Sequence, residues 1–327
     1  MTTQREAEMV TTTELGAERP TDASLLVRGV SPVLEVPFTA DGDVDYHGFD
    51  RVVRYVLGTG VTSAMFPGFA SEFHKLSEDE RRRLTEILLS HTRDRPDVAA
   101  VVAVQDHATQ LAARRARESV EAGADLINLL PPHFLSPSRG SLEQHVRAVL
   151  TAIDPVPMVL QYAPTETGTS LDADLLRLIA TDHPNLRLVK VESSPPGPLI
   201  AELAQGTPAL AAVEGYAGVQ LPDAVRRGAV GTQPGCSLTE VYVEIWRRLT
   251  TGDGEAGVDL HRRLLPYISY WMLDTERIIA AEKLISVRRG LFASPYCREP
   301  AHRLDAEEVR MVDRLLAEFA DFLPHLG

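Results

Sequence analysis

The sequence predicts a (β/α)₈ TIM barrel with a C-terminal helical extension, and three observations carry that expectation. Eight short apolar runs recur between residues 29 and 236, an amphipathic stretch of helical length separates most of them, and the runs are apolar throughout rather than alternating. Unbroken apolar runs belong to strands of a parallel sheet that is covered on both faces. Eight such units in about 210 residues match the size of a closed (β/α)₈ barrel. The competing architecture is an open doubly wound sheet, but no G-x-G-x-x-G follows the first strand.

In order, the runs are "VSPVLEVPF", "VTSAMFPG", "VAAVVAV", "ADLINLLP", "VPMVLQYAP", "LRLVKVE", "ALAAVEG" and "AVGTQPG". Helical stretches such as Tyr46–Gly58, Ser77–His91 and His107–Ala122 lie between them. "SEDE" (Ser77 to Glu80) has the spacing of a capping box, in which a Ser hydroxyl and a Glu carboxylate satisfy each other's backbone N–H groups. Gly60, Gly123 and Gly228 stand where helix gives way to strand, the position that favours a left-handed residue. Beyond residue 236 the strand pattern stops. Ser237–Thr250, Val258–Met272, Asp274–Arg289 and Asp305–Leu323 read as helices, so the division is a flexible tail over 1–28, a barrel over 29–236 and an extension over 237–327. Trp246, Trp271 and the Leu/Ile rows of the extension suit core packing or a subunit interface.

The net charge of −13 argues against a nucleic-acid partner, which calls for a basic face. No segment approaches the roughly 20 consecutive apolar residues of a membrane span. Residues 1–28 lack the apolar core of a signal peptide. Two cysteines, Cys236 and Cys297, form neither a disulfide framework nor a metal-ligand spacing, which fits reduced thiols in the cytoplasm. The ten histidines show no metal pair and no cofactor motif is present, so no metal and no cofactor is expected.

In a barrel of this kind the chemistry sits at the C-terminal ends of the strands. There the sequence places Gly68 to Glu72, Gln161 with Tyr162, Lys190 with Glu192, and Gly215 with Tyr216. Strand alternation sets Lys190 and Glu192 on one face and Val189 and Val191 on the other, so Lys190 is expected to point into the barrel. The chain has only three lysines, Lys75, Lys190 and Lys283. A buried amine favours its neutral form, which attacks carbonyl carbon and forms a Schiff base. The plain structural alternative is a lysine that reaches the barrel rim and pairs with Glu192.

The ordered set "GVSPVLEVPFTADGDVD", "FPGFASEFHKLSEDER", "AGADLINLLPPHFLSPSRGSLEQH", "YAPTETG" and "VKVE" resembles the dihydrodipicolinate synthase and N-acetylneuraminate lyase family from Gly29 to the C-terminal helices. The resemblance implies a barrel with a helical extension, a homo-oligomer (tetramer or dimer), and Schiff-base chemistry on 2-oxo acids with the amine at Lys190. It also implies a carboxylate-binding loop at Phe69, Ala70 and Ser71, with backbone N–H groups at Ala70 and Ser71 as donors, and Gly215 as the point of close substrate approach.

Several positions depart from the family pattern. The usual Gly-Thr-Thr-Gly-Glu or Gly-Ser-Thr-Gly-Glu reads Gly68-Phe69-Ala70-Ser71-Glu72, which removes two hydroxyls. The usual Tyr-Asn-Xaa-Pro-Xaa-Arg-Thr-Gly reads Gln161-Tyr162-Ala163-Pro164-Thr165-Glu166-Thr167-Gly168. Without a gap, Gln161 takes the tyrosine position and Glu166 the arginine position; a one-residue deletion would instead bring Tyr162 to the tyrosine position. The usual Pro-Tyr-Tyr becomes Pro132-His133-Phe134, so a proton relay across a subunit contact is lost and His133 stands as an acid–base candidate or a plain loop residue.

The expected function is a Schiff-base lyase that reversibly joins a 2-oxo acid such as pyruvate to an aldehyde. Lys190, Tyr162 and His133 are the expected catalytic residues, and Phe69, Ala70, Ser71, Gln161, Glu166, Glu192 and Gly215 the expected substrate contacts. A dehydratase of a 2-oxo-3-deoxy sugar acid and a non-catalytic binder of a carbonyl metabolite are the alternatives.

Overall fold

The computed structural model describes residues 22–168 and 170–326. Its eight parallel strands are β1 (Gly29–Val30), β2 (Ser63–Phe66), β3 (Ala99–Val104), β4 (Leu126–Leu129), β5 (Met158–Tyr162), β6 (Leu186–Val191), β7 (Ala211–Glu214) and β8 (Gly231–Thr232). Each strand pairs with its sequence neighbours, and β1 pairs with β8. Val33 bridges Met65 on one side and Gly235 on the other, which closes the ring between β1 and β2. The fold is the (β/α)₈ barrel that the apolar runs predict.

Side-chain alternation splits the core into two layers. Val33, Met65, Ala99, Val101, Ala103, Leu126, Val159, Leu188 and Val213 pack together inside the ring. Leu160, Tyr162, Val189 and Val191 point outward and join the larger layer between strands and helices. The helices of that layer begin with caps that the sequence announces. Asp45 accepts the Gly48 N–H at the start of α1 (Tyr46–Gly58), and Ser77 and Glu80 form the capping box of α2 (Glu78–Thr92). α3 (Thr109–Ala122) ends at Gly123, whose φ of 111° is left-handed. α4 (Arg139–Ile153), the short turn α5 (Pro164–Thr167), α6 (Ala173–Asp182), α7 (Gly197–Gln205) and α8 (Leu221–Arg226) continue around the ring.

Two boundaries differ from expectation. The expected tail covers residues 1–28; residues 1–21 lie outside the described residues, but 22–28 are built into the fold. Asp22 accepts the Ser24 N–H at 3.0 Å and starts a 3₁₀ turn over Ala23–Val27. Leu26 and Val27 then pack against the inner layer and stopper the end of the barrel opposite the strand C-termini. Full burial of a Val contributes on the order of 1.5 kcal/mol, enough to hold such a turn in place. At the other boundary, α9 (Thr239–Thr250) packs against β1 and supplies the eighth helix of the ring, so it belongs to the barrel.

The extension proper is α10 (Gly254–Trp271), α11 (Thr275–Arg288) and α12 (Ala306–Glu318). Trp271 is fully buried, so this part of the apolar stripe serves the core. α11 is the element that matters for the site. It packs on the turn Phe69–Ser71 after β2, and Lys283 on it forms a buried ion pair with Glu72 while also donating to the Tyr296 carbonyl at 3.0 Å. Arg289, just past α11, donates to Glu240, the Tyr55 hydroxyl and the Ser237 carbonyl. These bonds fix α11 across the mouth of the barrel.

Candidate active site

Lys190 sits on β6 opposite Gln161 of β5 and Val213 of β7. Its side chain points inward, as alternation requires, and is 4% exposed. The Nζ lies 3.3 Å from Glu192 Oε1. Glu192 Oε2 accepts from Gln161 Nε2 at 2.7 Å, and Gln161 Oε1 accepts from Asn128 Nδ2 at 3.0 Å. A polar chain therefore crosses β4, β5 and β6 inside the ring and ends on the amine. Gly215 gives it room: a Cβ added there would overlap the Glu192 side chain.

The cavity above Lys190 is lined by Phe69, Ala70, Glu166, Glu192, Tyr216 and, from α11, Glu282, with Gln233 from the end of β8. Tyr216 donates its hydroxyl proton to Glu166, with oxygen separations of 2.9 and 3.1 Å. Burial raises the Glu166 carboxyl above its ordinary range; the Tyr216 hydrogen bond opposes the shift and the Glu192 charge adds to it. Burial and the adjacent Glu166 charge likewise hold the Tyr216 proton on its oxygen. Among the described residues no group of three or more His, Cys, Asp or Glu is placed to hold a metal ion.

The structure brings Lys190, Glu192, Phe69, Ala70 and Glu166 to one cavity, with Gln161 and Gly215 directly behind Glu192. Tyr162 is elsewhere. It pairs with Val191, one residue out of phase with Lys190, and lies in the outer layer between strands and helices. Gln161 therefore occupies the inward position beside Lys190. His133 is also displaced: its ring packs edge-on against Phe73 at 5.9 Å, and Phe73 packs on Phe69 at 5.4 Å. Phe69 faces the cavity, so two aromatic rings stand between His133 and the space above Lys190. Ser71 is the third correction. Its N–H donates to the Gly68 carbonyl at 3.0 Å, and its hydroxyl accepts from the Gly68 N–H and donates to the Leu34 carbonyl. Its N–H and hydroxyl are thus taken up within the turn and by Leu34. The Ala70 N–H has no acceptor among the described residues.

Three cavity residues, Tyr216, Gln233 and Glu282, went unassigned from sequence. Tyr216 directly follows Gly215 at the end of β7, so its place was visible but its partner, Glu166, was not. Glu282 and Lys283 interrupt the run Ile278 to Ile285 on a helix buried on most sides, a signal that such charges have a task.

A lysine inside a (β/α)₈ barrel, at the strand C-termini and beneath a carboxylate and a phenol, defines a lyase of the lysine Schiff-base class. The comparisons with known proteins give the family. The model of the dihydrodipicolinate synthetase family matches residues 26–319, and the chain belongs to that family. It is 25% identical to the 4-hydroxy-tetrahydrodipicolinate synthase of Salinibacter ruber over 91% of this chain and 97% of that one. It is 28% identical to the enzyme of the same name from Acidothermus cellulolyticus, over 90% and 93%. Among solved structures, a putative dihydrodipicolinate synthetase from Pseudomonas aeruginosa superposes with a TM-score of 0.82 at 25% identity, covering 89% of this chain and 99% of that one. A prophage protein of the dihydrodipicolinic acid synthase family from E. coli K12, in complex with pyruvate, superposes with a TM-score of 0.81 at 23% identity, over 90% and 98%.

Proposed function

We propose that the protein is a pyruvate-type aldolase in which Lys190 forms the Schiff base, Glu192 handles the amine proton, and the Tyr216–Glu166 pair replaces the family's tyrosine as proton shuttle. The observation that carries this reading is the single cavity in which the Lys190 amine, the Glu192 carboxylate and the Tyr216–Glu166 hydrogen bond converge. The order of events follows from their chemistry. Glu192, 3.3 Å from Nζ, takes a proton from the amine, and the neutral nitrogen attacks the ketone carbon of the 2-oxo acid. The Tyr216 hydroxyl gives its proton to the carbinolamine oxygen and is refilled through Glu166, and loss of water leaves the imine. The Glu166 carboxylate, left without the proton it passed to Tyr216, takes a proton from the neighbouring carbon to give an enamine, whose carbon attacks an aldehyde; the reverse sequence cleaves the product.

The Ala70 N–H is the donor available to the 2-oxo acid's carboxylate, with Phe69 as the apolar wall beside it. A cytoplasmic homo-oligomer (tetramer or dimer) is the assembly that goes with this reading. Cys236 and Cys297 are unpaired, and Phe134 and Leu135 in the loop after β4 are 80% and 69% exposed, as residues awaiting a subunit contact are. Among the described residues no helix is long and apolar enough to cross a membrane.

Exchange of the methyl protons of pyruvate in deuterated water tests the proposal, because conversion of the imine to an enamine makes them labile. The reading expects enzyme-dependent loss of the methyl signal that vanishes in Lys190→Arg; exchange that persists in that variant would overturn it.

A further inference from the structure

The loop that carries Tyr216 is held in a conformation that its own residues disfavour. Tyr216 and Ala217 follow Gly215 with φ of 46° and 51°, and Gly218 continues the run with φ of 67°. Tyr216 and Ala217 are two of the four non-glycine residues with positive φ among the described residues, and the only two that stand side by side. Neither has a short polar side chain that could bond its own backbone and ease the left-handed state. Such a run persists only where its surroundings hold it.

The loop's carbonyls show what holds it. Gly215 O accepts from the Gly218 N–H at 2.9 Å and Tyr216 O from the Val219 N–H at 3.1 Å, bonds that the loop makes for itself. The next two carbonyls are met from outside. Ala217 O accepts from the Tyr242 hydroxyl of α9 at 2.6 Å, and Gly218 O accepts from His261 Nε2 of α10 at 2.8 Å. A carbonyl only accepts, so the Nε2 carries the proton. Both side chains are buried, and neither lines the cavity above Lys190. The Tyr242 ring also closes on the loop, since a Cβ added at Gly218 would come within 3.0 Å of it. Ala217 and Gly218 are themselves buried, and a buried carbonyl left without a donor is costly. The backbone at Tyr216 fixes the direction in which its ring leaves the loop, and from there its hydroxyl reaches Glu166 and the cavity.

We propose that Tyr242 and His261 are positioning residues for the reaction: their two hydrogen bonds hold the left-handed run Tyr216-Ala217-Gly218 and so aim the Tyr216 hydroxyl at the space above Lys190. The helices α9 and α10 thereby act on the chemistry through two backbone carbonyls. The inference rests on the aldolase reading given above and deepens it by naming what sets the proton donor in place.

The rate of pyruvate methyl exchange, followed against pyruvate concentration, tests it. Tyr242→Phe keeps the ring and removes one donor; His261→Leu removes the other, and His261→Gln retains an N–H close to the place of Nε2. Tyr242→Phe and His261→Leu are each expected to lower the saturated rate by at least about tenfold, as misplacement of a reacting group does, while half-saturating pyruvate stays within about twofold. His261→Gln is expected to recover most of the rate. In a Tyr216→Phe background, Tyr242→Phe is expected to add little, because it acts through the missing hydroxyl. An undiminished rate in Tyr242→Phe, or a loss of equal size in both backgrounds, overturns the proposal. Tyr242→Phe, the milder change, decides the matter where His261→Leu does not fold. Amide hydrogen exchange over residues 215–220 needs no substrate and so keeps this result apart from the aldolase reading. Faster exchange there in folded Tyr242→Phe, with the other strand ends unchanged, supports the frame even if the native protein fails to exchange pyruvate, and unaltered protection overturns it.

Discussion

Gln161 and Glu192 are joined by a 2.7 Å hydrogen bond across β5 and β6, and this bond holds the carboxylate that faces the Lys190 amine. The Gln161 amide stands on the inward face of β5, opposite Lys190. It has no proton to give in catalysis, so its task here is to orient Glu192, with Asn128 orienting it in turn. Replacing Gln161 by Leu leaves Glu192 without that donor, and kcat is expected to fall by roughly tenfold or more, the worth of a hydrogen bond to a charged group. Tyr162→Phe, one residue away but in the outer layer, is expected to leave kcat within about twofold, since it removes only a hydroxyl at a packing position. Steady-state kinetics on both variants with the same aldehyde checks the pair.

Tyr216→Phe removes the proposed proton donor and keeps the ring. Turnover is expected to drop by about two to four orders of magnitude, the usual contribution of general acid–base catalysis. Glu166→Gln, which leaves a hydrogen-bond acceptor for the phenol, is expected to lower turnover while KM for pyruvate changes little. Full kinetic constants for the two variants, beside their circular dichroism spectra, decide this.

The sequence made some of this site readable and concealed the rest for physical reasons. Strand alternation alone aims Lys190 and Glu192 inward and Val191 outward, because side-chain direction in a strand is local. The same alternation, applied across the β5–β6 pairing, puts Gln161 inside and Tyr162 outside; the loop "YAPTETG" leaves that register open until the strands are paired. His133 has a suitable side chain at a suitable strand end, but Phe69 and Phe73 intervene, and no spacing announces a contact between loops 60 residues apart. Ser71 looks like a ligand donor, yet its hydroxyl closes its own turn against Leu34. Glu282 comes from a helix about 90 residues beyond Lys190, and what covers a barrel mouth is a matter of tertiary packing. Leu26 and Val27 are buried for a similar reason, because the open end of the barrel, and nothing local, gives them an inner layer to pack on.

Glu214 gives a pH dependence of stability with a definite sign. It points away from the substrate cavity, accepts the Gln220 N–H at 2.8 Å, and burial pushes its carboxyl from 4.5 up to about 8. Between those values the folded chain binds the proton more firmly than the unfolded chain, so this group's contribution is fully present below about pH 4.5 and is lost as pH rises through 8. Glu214→Gln, which mimics the protonated form, is expected to unfold at a higher urea concentration than the native protein at pH 8.5 and at nearly the same one at pH 5. A native protein that holds its stability better than the variant at pH 8.5 would contradict this assignment.

Lys283→Met takes from the fully buried Glu72 its partner on α11 and leaves it paired with Lys75 alone. A buried charge left wholly unpaired destabilises by about 3–5 kcal/mol, and with Lys75 still beside Glu72 urea denaturation is expected to register a smaller loss than that.

The central claim is that Lys190 is the amine that meets the carbonyl, and covalent trapping addresses it directly. Incubation with pyruvate and sodium borohydride, followed by proteolysis and peptide mass mapping, reads out which of the three lysines carries the reduced adduct. The account predicts modification of Lys190 alone, with Lys75 and Lys283 held in their ion pairs with Glu72 and untouched. An adduct on either of those two, or none on Lys190 in the folded protein, would contradict it.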